Sequence, residues 1–342
     1  MVRIKDVAKF GNVSVSSVSR FLNAPETLRP ETFRKVKEAI EALHYSPSPI
    51  ARSLRTKSTD TIALIIPSLK NMYYIDLYSE LYDMASTAGY TVNLLSTNGD
   101  HDVLRKYLHE LPIQNVDGIM VCYLDDDESM LDDFRNAQKH TPLVLITSMQ
   151  NRQEFNSIFL DVEEGEMRAT QHMIDMGCEN LAFVGGKRIG STIVKQRGFE
   201  SVLSKNGLKI SPEFYFFDRN YFATGFKAVR HFLSLDRQPD GIVCATDDIA
   251  IGCVKYLLRS GFKIPGDIKV VGHNGISLID AIEPSISSLS HPVKDIVEEA
   301  MRLLRKQIDH PDARQQQVIL YTTLVVNTST DANAPVRLTE KK

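Results

Sequence analysis

Apolar positions over the first forty-odd residues recur at helical spacing, and beyond residue 60 they gather into short runs of the kind that form buried strands. Ile4, Val7 and Ala8 predict a first short helix over 3–10, broken by Gly11-Asn12. Ser14 reads as the N-cap of a second helix over 15–23, with Val13 and Val18 placed as a hydrophobic staple and Leu22 also turned inward. The opposite face carries Ser16, Arg20 and Asn23, short and polar apart from one arginine. A purely solvated face more often bears long Glu and Lys, whereas entry into a DNA major groove needs this low profile. A third helix opens on Pro30 and turns Phe33, Val36, Ile40 and Leu43 inward as core.

Residues 44–58, HYSPSPIARSLRTKS, offer Ser48 as a cap and Pro49 as the first residue of two helical turns, with Ile50, Ala51 and Leu54 on one face and Arg52 and Arg55 beside it. So short a helix does not hold alone. It folds when something covers its apolar face; otherwise the segment is a plain linker.

From Thr61 the apolar runs 61–67, 91–97, 117–123 and 142–147 alternate with amphipathic stretches such as 75–89 and 102–112. After 157–162 the alternation restarts through 181–186, 214–218, 240–247 and 268–274. Two successive series of βα units predict two doubly wound parallel sheets with a ligand cleft between them. The last helix-like stretch, 293–308, and the strand-like stretch 317–329 cross between the lobes. The predicted organisation is an all-α helix-turn-helix head over 1–46, a hinge helix over 47–58, an α/β body over 59–331 and a polar tail over 332–342. Within the body, lobe 1 takes 59–160 and 292–322, and lobe 2 takes 161–291 and 323–331.

Charge sharpens this picture. The net charge of −3 over 342 residues argues against a nucleic-acid partner. Residues 1–57, however, hold eleven Lys or Arg against five Asp or Glu, a balance of +6 that leaves −9 for the rest. An unevenly charged solvated surface would look the same, but a basic head on an acidic body is also what a protein presenting one end to phosphate requires. No apolar run approaches the length of a membrane span, and the N-terminus lacks the apolar centre of an export signal, so a cytoplasmic protein is expected. Cys122, Cys178, Cys244 and Cys253 are scattered, without CxxC or His spacing for a metal, and read as buried thiols.

Catalytic motifs fail in turn. GGKRIGST (185–192) nearly spells a phosphate loop, but Ser191 stands where Lys is required. Asp125–Asp127 read as a solvated loop, Asp247-Asp248 as a helix N-terminus, and His273 and His291 as lone histidines. Neither an enzyme nor a cofactor is expected.

Three strings in register, IKDVAKFGNVSVSSVSRFLN, PETFRKV and HYSPSPIARSLR, resemble the head of the lactose/galactose-repressor family nearly without gaps over 3–56. Gly11-Asn12 and Arg29-Pro30 depart from its usual residues. The resemblance implies base contacts from Val15, Ser16 and Arg20, flanked by Ser14 and Ser17, and phosphate contacts from Ile4, Asn23 and Tyr45. It implies a minor-groove wedge at Leu54, with Ala51 and Arg55 flanking it. The body resembles the family's sensor, built like periplasmic sugar-binding proteins.

Carried into the cleft, the resemblance places Tyr73 and Tyr74 in an Asn-Pro-aromatic-aromatic element with Met72 for the proline; they either stack a sugar ring or fill the core. Tyr221, or Phe222, stands near the second-lobe aromatic, and Ser191 is a further expected effector contact. Thr147 replaces an Asp, Lys195 an Arg, Thr246 an Asn and Asn274 an Asp. Arg and Lys differ in bidentate recognition, so a cleft with fewer hydroxyl acceptors is expected, weak toward neutral hexoses and favouring an anionic group through Lys195. The expected activity is that of a dimeric operator-binding repressor, answering to a sugar, a sugar phosphate, another small molecule or a protein co-regulator. The alternative is a soluble ligand-binding protein without a DNA role. The polar 330–342 segment has no leucine heptad, so a dimer through the helix around 75–85 is expected rather than a tetramer.

Overall fold

The structure is a computed structural model describing residues 2–45, 58–114, 116–123, 128–148, 153–186, 190–209, 211–218 and 222–335. The hinge-helix residues Ala51, Leu54 and Arg55, the aromatic Tyr221 and the Asp125–Asp127 run lie outside them. Two compact units divide at Thr59 and Asp60.

The head is three helices, α1 (Ile4–Phe10), α2 (Val15–Asn23) and α3 (Pro30–Ala42), around Val7, Ala8, Val18, Val36 and Ala39. Asp6 returns its carboxylate to the Arg3 amide at 2.8 Å, satisfying one of the donors that the start of α1 leaves open. Ser14 caps α2 by accepting from the Ser17 amide at 3.1 Å, and Val13 packs with Val18 on the same core. Phe21 and Phe33, ring centroids 4.8 Å apart, lock α2 to α3.

The body holds two six-stranded sheets. The first orders its strands β2 (Thr91–Ser96), β1 (Thr61–Ile66), β3 (Gly118–Tyr123), β4 (Leu143–Thr147), β5 (Asn156–Asp161) and β11 (Gln317–Tyr321). The second repeats the order with β7 (Tyr215–Phe217), β6 (Leu181–Gly185), β8 (Gly241–Cys244), β9 (Lys269–Asn274), β10 (Ser287–Ser290) and β12 (Thr323–Val325). All described pairings are parallel except β10 with β12. Both sheets thus follow the doubly wound order whose reversal point opens a crevice at the strand C-termini.

Helices α4 (Met72–Thr87), α5 (His101–Ile113) and α6 (Leu131–Gln138) follow the early strands. Helices α7 (Val162–Asp175), α8 (Ser191–Lys205), α9 (Phe222–Phe232) and α10 (Asp247–Arg259) wrap the second sheet, and α11 (Val293–Asp309) returns to the first. In β1, Ile62, Leu64 and Ile66 enter one core while Ala63 and Ile65 enter another. Covered on both faces, such strands read as continuous apolar runs. The chain passes between sheets after Asp161, after His291 and at Thr322, whose carbonyl accepts from Arg168 at 2.6 Å.

Candidate functional site

In the head, Val15, Ser16 and Arg20 are exposed on α2. Ser14 Oγ lies 2.7 Å from Ser16 Oγ and 2.8 Å from Ser17 Oγ, so the three hydroxyls form one cluster at the helix start. Ile4 and Tyr45 are half-buried against the head core, and Asn23 is the last residue of α2.

In the body, the N-terminus of α4 meets the C-terminal ends of the second sheet through Tyr73 and His291. Asn71 caps α4 through its side chain, 3.0 Å from the Tyr73 amide, which sets Tyr73 and Tyr74 in the first turn, both buried. Tyr73 lies 4.9 Å from the His291 ring and His291 5.3 Å from the His273 ring. Thr147 ends β4 and is fully buried, Thr246 caps α10 by accepting from the Ile249 amide at 3.4 Å, and Asn274 ends β9. Ser191, the first residue of α8, is half-buried. Phe222 opens α9 and is exposed.

The backbone takes an unusual course at Asn274 and Gly275, with φ of 123° and 69°. A Cβ on Gly275 would meet Ser290 atoms at 2.4–2.5 Å, so glycine is required there on steric grounds as well as by its φ. This turn aims the Ile276 amide at Asp247 Oδ2, 2.9 Å away, while Ser288 Oγ donates to Asp247 Oδ1 at 2.6 Å and accepts from the Gly275 amide at 3.1 Å. Asp247 therefore fastens the start of α10 to the β9–β10 turn. Burial raises its carboxyl to about 6 although those donors and Lys195 pull it down.

Lys195 corrects the expectation of an anion-binding cleft. Its ammonium donates to the Ala245 carbonyl at 2.7 Å, is buried, and has Glu166 and Asp247 as opposing charges. Burial lowers its pKa and raises that of Glu166, because a low-dielectric surround penalises each charged form. The amine is directed into lobe 2.

His273 and His291 are not lone, another correction. His273 Nδ1 sits 2.8 Å from Glu166 Oε2, both side chains fully buried. Burial, then the Lys195 charge, depresses both imidazoles, His291 to about 3, so both are neutral at physiological pH. Asp248, beside Asp247, is fully buried, and burial and then the Asp247 charge raise it to about 7.

Several polar atoms of this cluster have no hydrogen-bond partner: Tyr73 Oη, Asn274 Nδ2, His291 Nδ1 and Glu166 Oε1. Beside them lies a cavity of 410 Å³ between α4 and the segment after β9, lined in part by Asp76, Glu80, Asp280 and His291. None of the sequence-predicted effector residues lines it. Asp76 accepts from the Ser277 amide at 3.0 Å and from its hydroxyl at 3.2 Å, tying α4 to lobe 2. Among the described residues no three His, Cys, Asp or Glu are placed to hold a metal, and no helix is long and apolar enough to cross a membrane.

One missed residue left a signal. Val162, Gly165, Glu166, Ala169, Thr170 and Met173 are the buried stripe of α7, and a glutamate at helical spacing within an apolar stripe marks a paired buried charge.

Compared with known proteins, residues 3–48 match the family described as bacterial regulatory proteins, lacI family, and residues 170–330 match a periplasmic binding protein-like domain. The chain is 30% identical over 329 residues to the HTH-type transcriptional regulator RegA of Clostridium saccharobutylicum, covering 96% of this chain and 98% of that protein. It is 30% identical over 311 residues to catabolite control protein A of Priestia megaterium, covering 90% and 93%. The Lac repressor dimer bound to operator and the anti-inducer ONPF superposes with a TM-score of 0.84 at 23% identity, covering 96% and 99%.

Proposed function

The chain belongs to the lacI family of bacterial regulatory proteins, and from that premise we propose that it is a dimeric repressor, acting in the cytoplasm, whose two-lobed body couples an effector to operator binding. The observation that carries this reading is α2, a capped helix showing Val15, Ser16 and Arg20 on its exposed face within a segment of net charge +6. Small side chains let the helix approach base edges, and the Arg20 fork reaches O6 and N7 of one guanine per half-site. Val15 packs on a base methyl, Ile4, Asn23 and Tyr45 meet phosphates, and Leu54 wedges the central minor-groove step between Ala51 and Arg55.

The body supplies the switch. Asp76 with Ser277, and Tyr73 with His291, join α4 to lobe 2, so a molecule bound among these groups acts differently on the joined and parted lobes. That difference is what shifts a two-state equilibrium.

The test is a gel-shift of the full chain against genomic fragments, followed by selection of bound sequences from random DNA. A palindromic site bound at nanomolar protein, with affinity falling as salt rises, is the expected result. Binding no stronger than to random duplex overturns the reading.

A further inference from the structure

Taking the two-lobed body as a switch, as the reading above does, we propose that the turn 274–277 is its latch. Adjacent backbone amides of this turn are held by a carboxylate from each lobe, so the joined lobes are fastened by the chain's own groups, and any molecule that parts them has to free Ser277 from Asp76.

The turn follows β9 in lobe 2. Asn274 has φ of 123°, a region side-chain-bearing residues seldom adopt, and Gly275 follows at 69°. Such a conformation persists only where its surroundings over-determine it, and it is found at switch regions. Here the surroundings are bonds on three successive amides. The Gly275 amide donates to Ser288 Oγ at 3.1 Å and the Ile276 amide to Asp247 Oδ2 at 2.9 Å, both partners in lobe 2. The next amide, that of Ser277, donates to Asp76 Oδ2 at 3.0 Å, and the Ser277 hydroxyl donates to Asp76 Oδ1 at 3.2 Å. Asp76 belongs to α4 of lobe 1. Within one peptide step the chain passes from a lobe 2 carboxylate to a lobe 1 carboxylate.

The two grips differ in strength. Asp247 is fully buried and is held in turn by the Ser288 hydroxyl at 2.6 Å, so Ile276 cannot leave it without opening the lobe 2 core. Asp76 is only half-buried, and water can replace the bonds it accepts. The side that gives is therefore the joint between the lobes. Two contacts of α4 start from the same place. The Asn274 carbonyl accepts from the His291 amide at 3.1 Å, and the His291 ring lies 4.9 Å from that of Tyr73. The Met72 amide, the first of α4, stabilises the carboxylate of Asp248, the residue after Asp247.

The experiment uses the full chain without DNA, so its outcome is independent of whether an operator is bound. Nitroxide labels are attached in a Lys106→Cys, Lys205→Cys background, one on α5 of lobe 1 and one on α8 of lobe 2; the four native cysteines are buried. The labelled chain is diluted into unlabelled chain, and pulsed electron spin resonance reads the distance within one chain. The parent is expected to show one dominant distance. Asp76→Ala is expected to add a second, displaced population, raising the ratio of parted to joined lobes about tenfold, because two hydrogen bonds to a charged acceptor are lost. Ser277→Ala loses the hydroxyl bond alone and shifts the ratio less. The double variant is expected to match Asp76→Ala, since both residues act through one contact. Asp76→Asn keeps an acceptor oxygen and is expected to fall between the parent and Asp76→Ala; it carries the test if circular dichroism shows the alanine variant unfolded. Asp102→Ala removes a carboxylate that bonds Arg105 at 2.7 Å within lobe 1 and is expected to leave the distance as in the parent. Several populations in the parent, a parent-like distribution in the Asp76 variants, a double variant that adds the two single shifts, or an equal shift from Asp102→Ala each overturns the proposal.

Discussion

Gly252 sits in the second turn of α10, where α9 crosses it. A Cβ at this position would lie 2.2 Å from the Phe222 carbonyl oxygen and 3.2 Å from the Gly225 Cα. The reciprocal Cβ on Gly225 would lie 2.2 Å from the Ile249 carbonyl oxygen. These obstacles are backbone atoms, which cannot rotate aside as a side-chain tip does, so Gly252→Ala must drive the helices apart by about 1 Å to restore ordinary carbon–oxygen contact. Overpacking a core costs about 1–3 kcal/mol, and a backbone obstacle puts this case at the upper end. Alanine's better helix propensity returns about 1 kcal/mol. A net loss of about 2 kcal/mol follows, or roughly 4–8 °C in melting temperature for a body of this size. Thermal and urea unfolding followed by circular dichroism read it. Gly266→Ala is the control, since its Cβ would meet only Lys263 Cβ at 3.4 Å; it is expected to stay within about 0.5 kcal/mol of the parent. Gly252→Ala unfolding within that same margin refutes the argument that close helix approach demands glycine here.

Light scattering at micromolar concentration is expected to return a dimer, and Tyr82→Asp, on the exposed side of α4, to shift it toward monomer; a stable tetramer contradicts this. Arg20→Ala is expected to cost about 1–3 kcal/mol per half-site and to relax preference at one base, whereas Leu54→Ala abolishes DNA bending and leaves the base panel intact; an unchanged base panel or unchanged bending refutes the respective role. Asp248, raised by burial to about 7, keeps in the folded chain a proton that the unfolded chain has released above about pH 4. Its folded state binds more protons, so its contribution to stability falls as pH rises from about 4 through 7 and is flat beyond. Asp248→Asn is expected to lose less stability than the parent between pH 5 and pH 8, measured by urea midpoint; parallel pH curves for the two proteins contradict it.

Much of the fold was readable because its causes are local. Ser14, Val13 and Pro30 act within a few residues, and capping and φ restriction operate at that range, so the head helices fell where expected. The two series of apolar runs announced two sheets, since a strand covered on both faces has no polar alternation to hide it. Lys195, Thr246 and Asn274 were legible as a polar set only through the resemblance. Their chemistry was not. Lys195 alone in sequence looks like an anion ligand; only packing puts the Ala245 carbonyl, fifty residues on, against its amine.

The sequence by itself determined the helix-turn-helix head, its basic charge against an acidic body, and the repeated βα order, because these rest on spacing, capping and composition. Tertiary structure alone decided that Glu166 meets His273 across 107 residues, that Gly252 and Gly225 let two helices touch, and that Asp248 is buried beside Asp247 at the start of α10. Each of those depends on desolvation and on distances between segments remote in the chain. A carboxylate's cost or a glycine's necessity is a property of what surrounds it, and those surroundings exist only once the chain has folded.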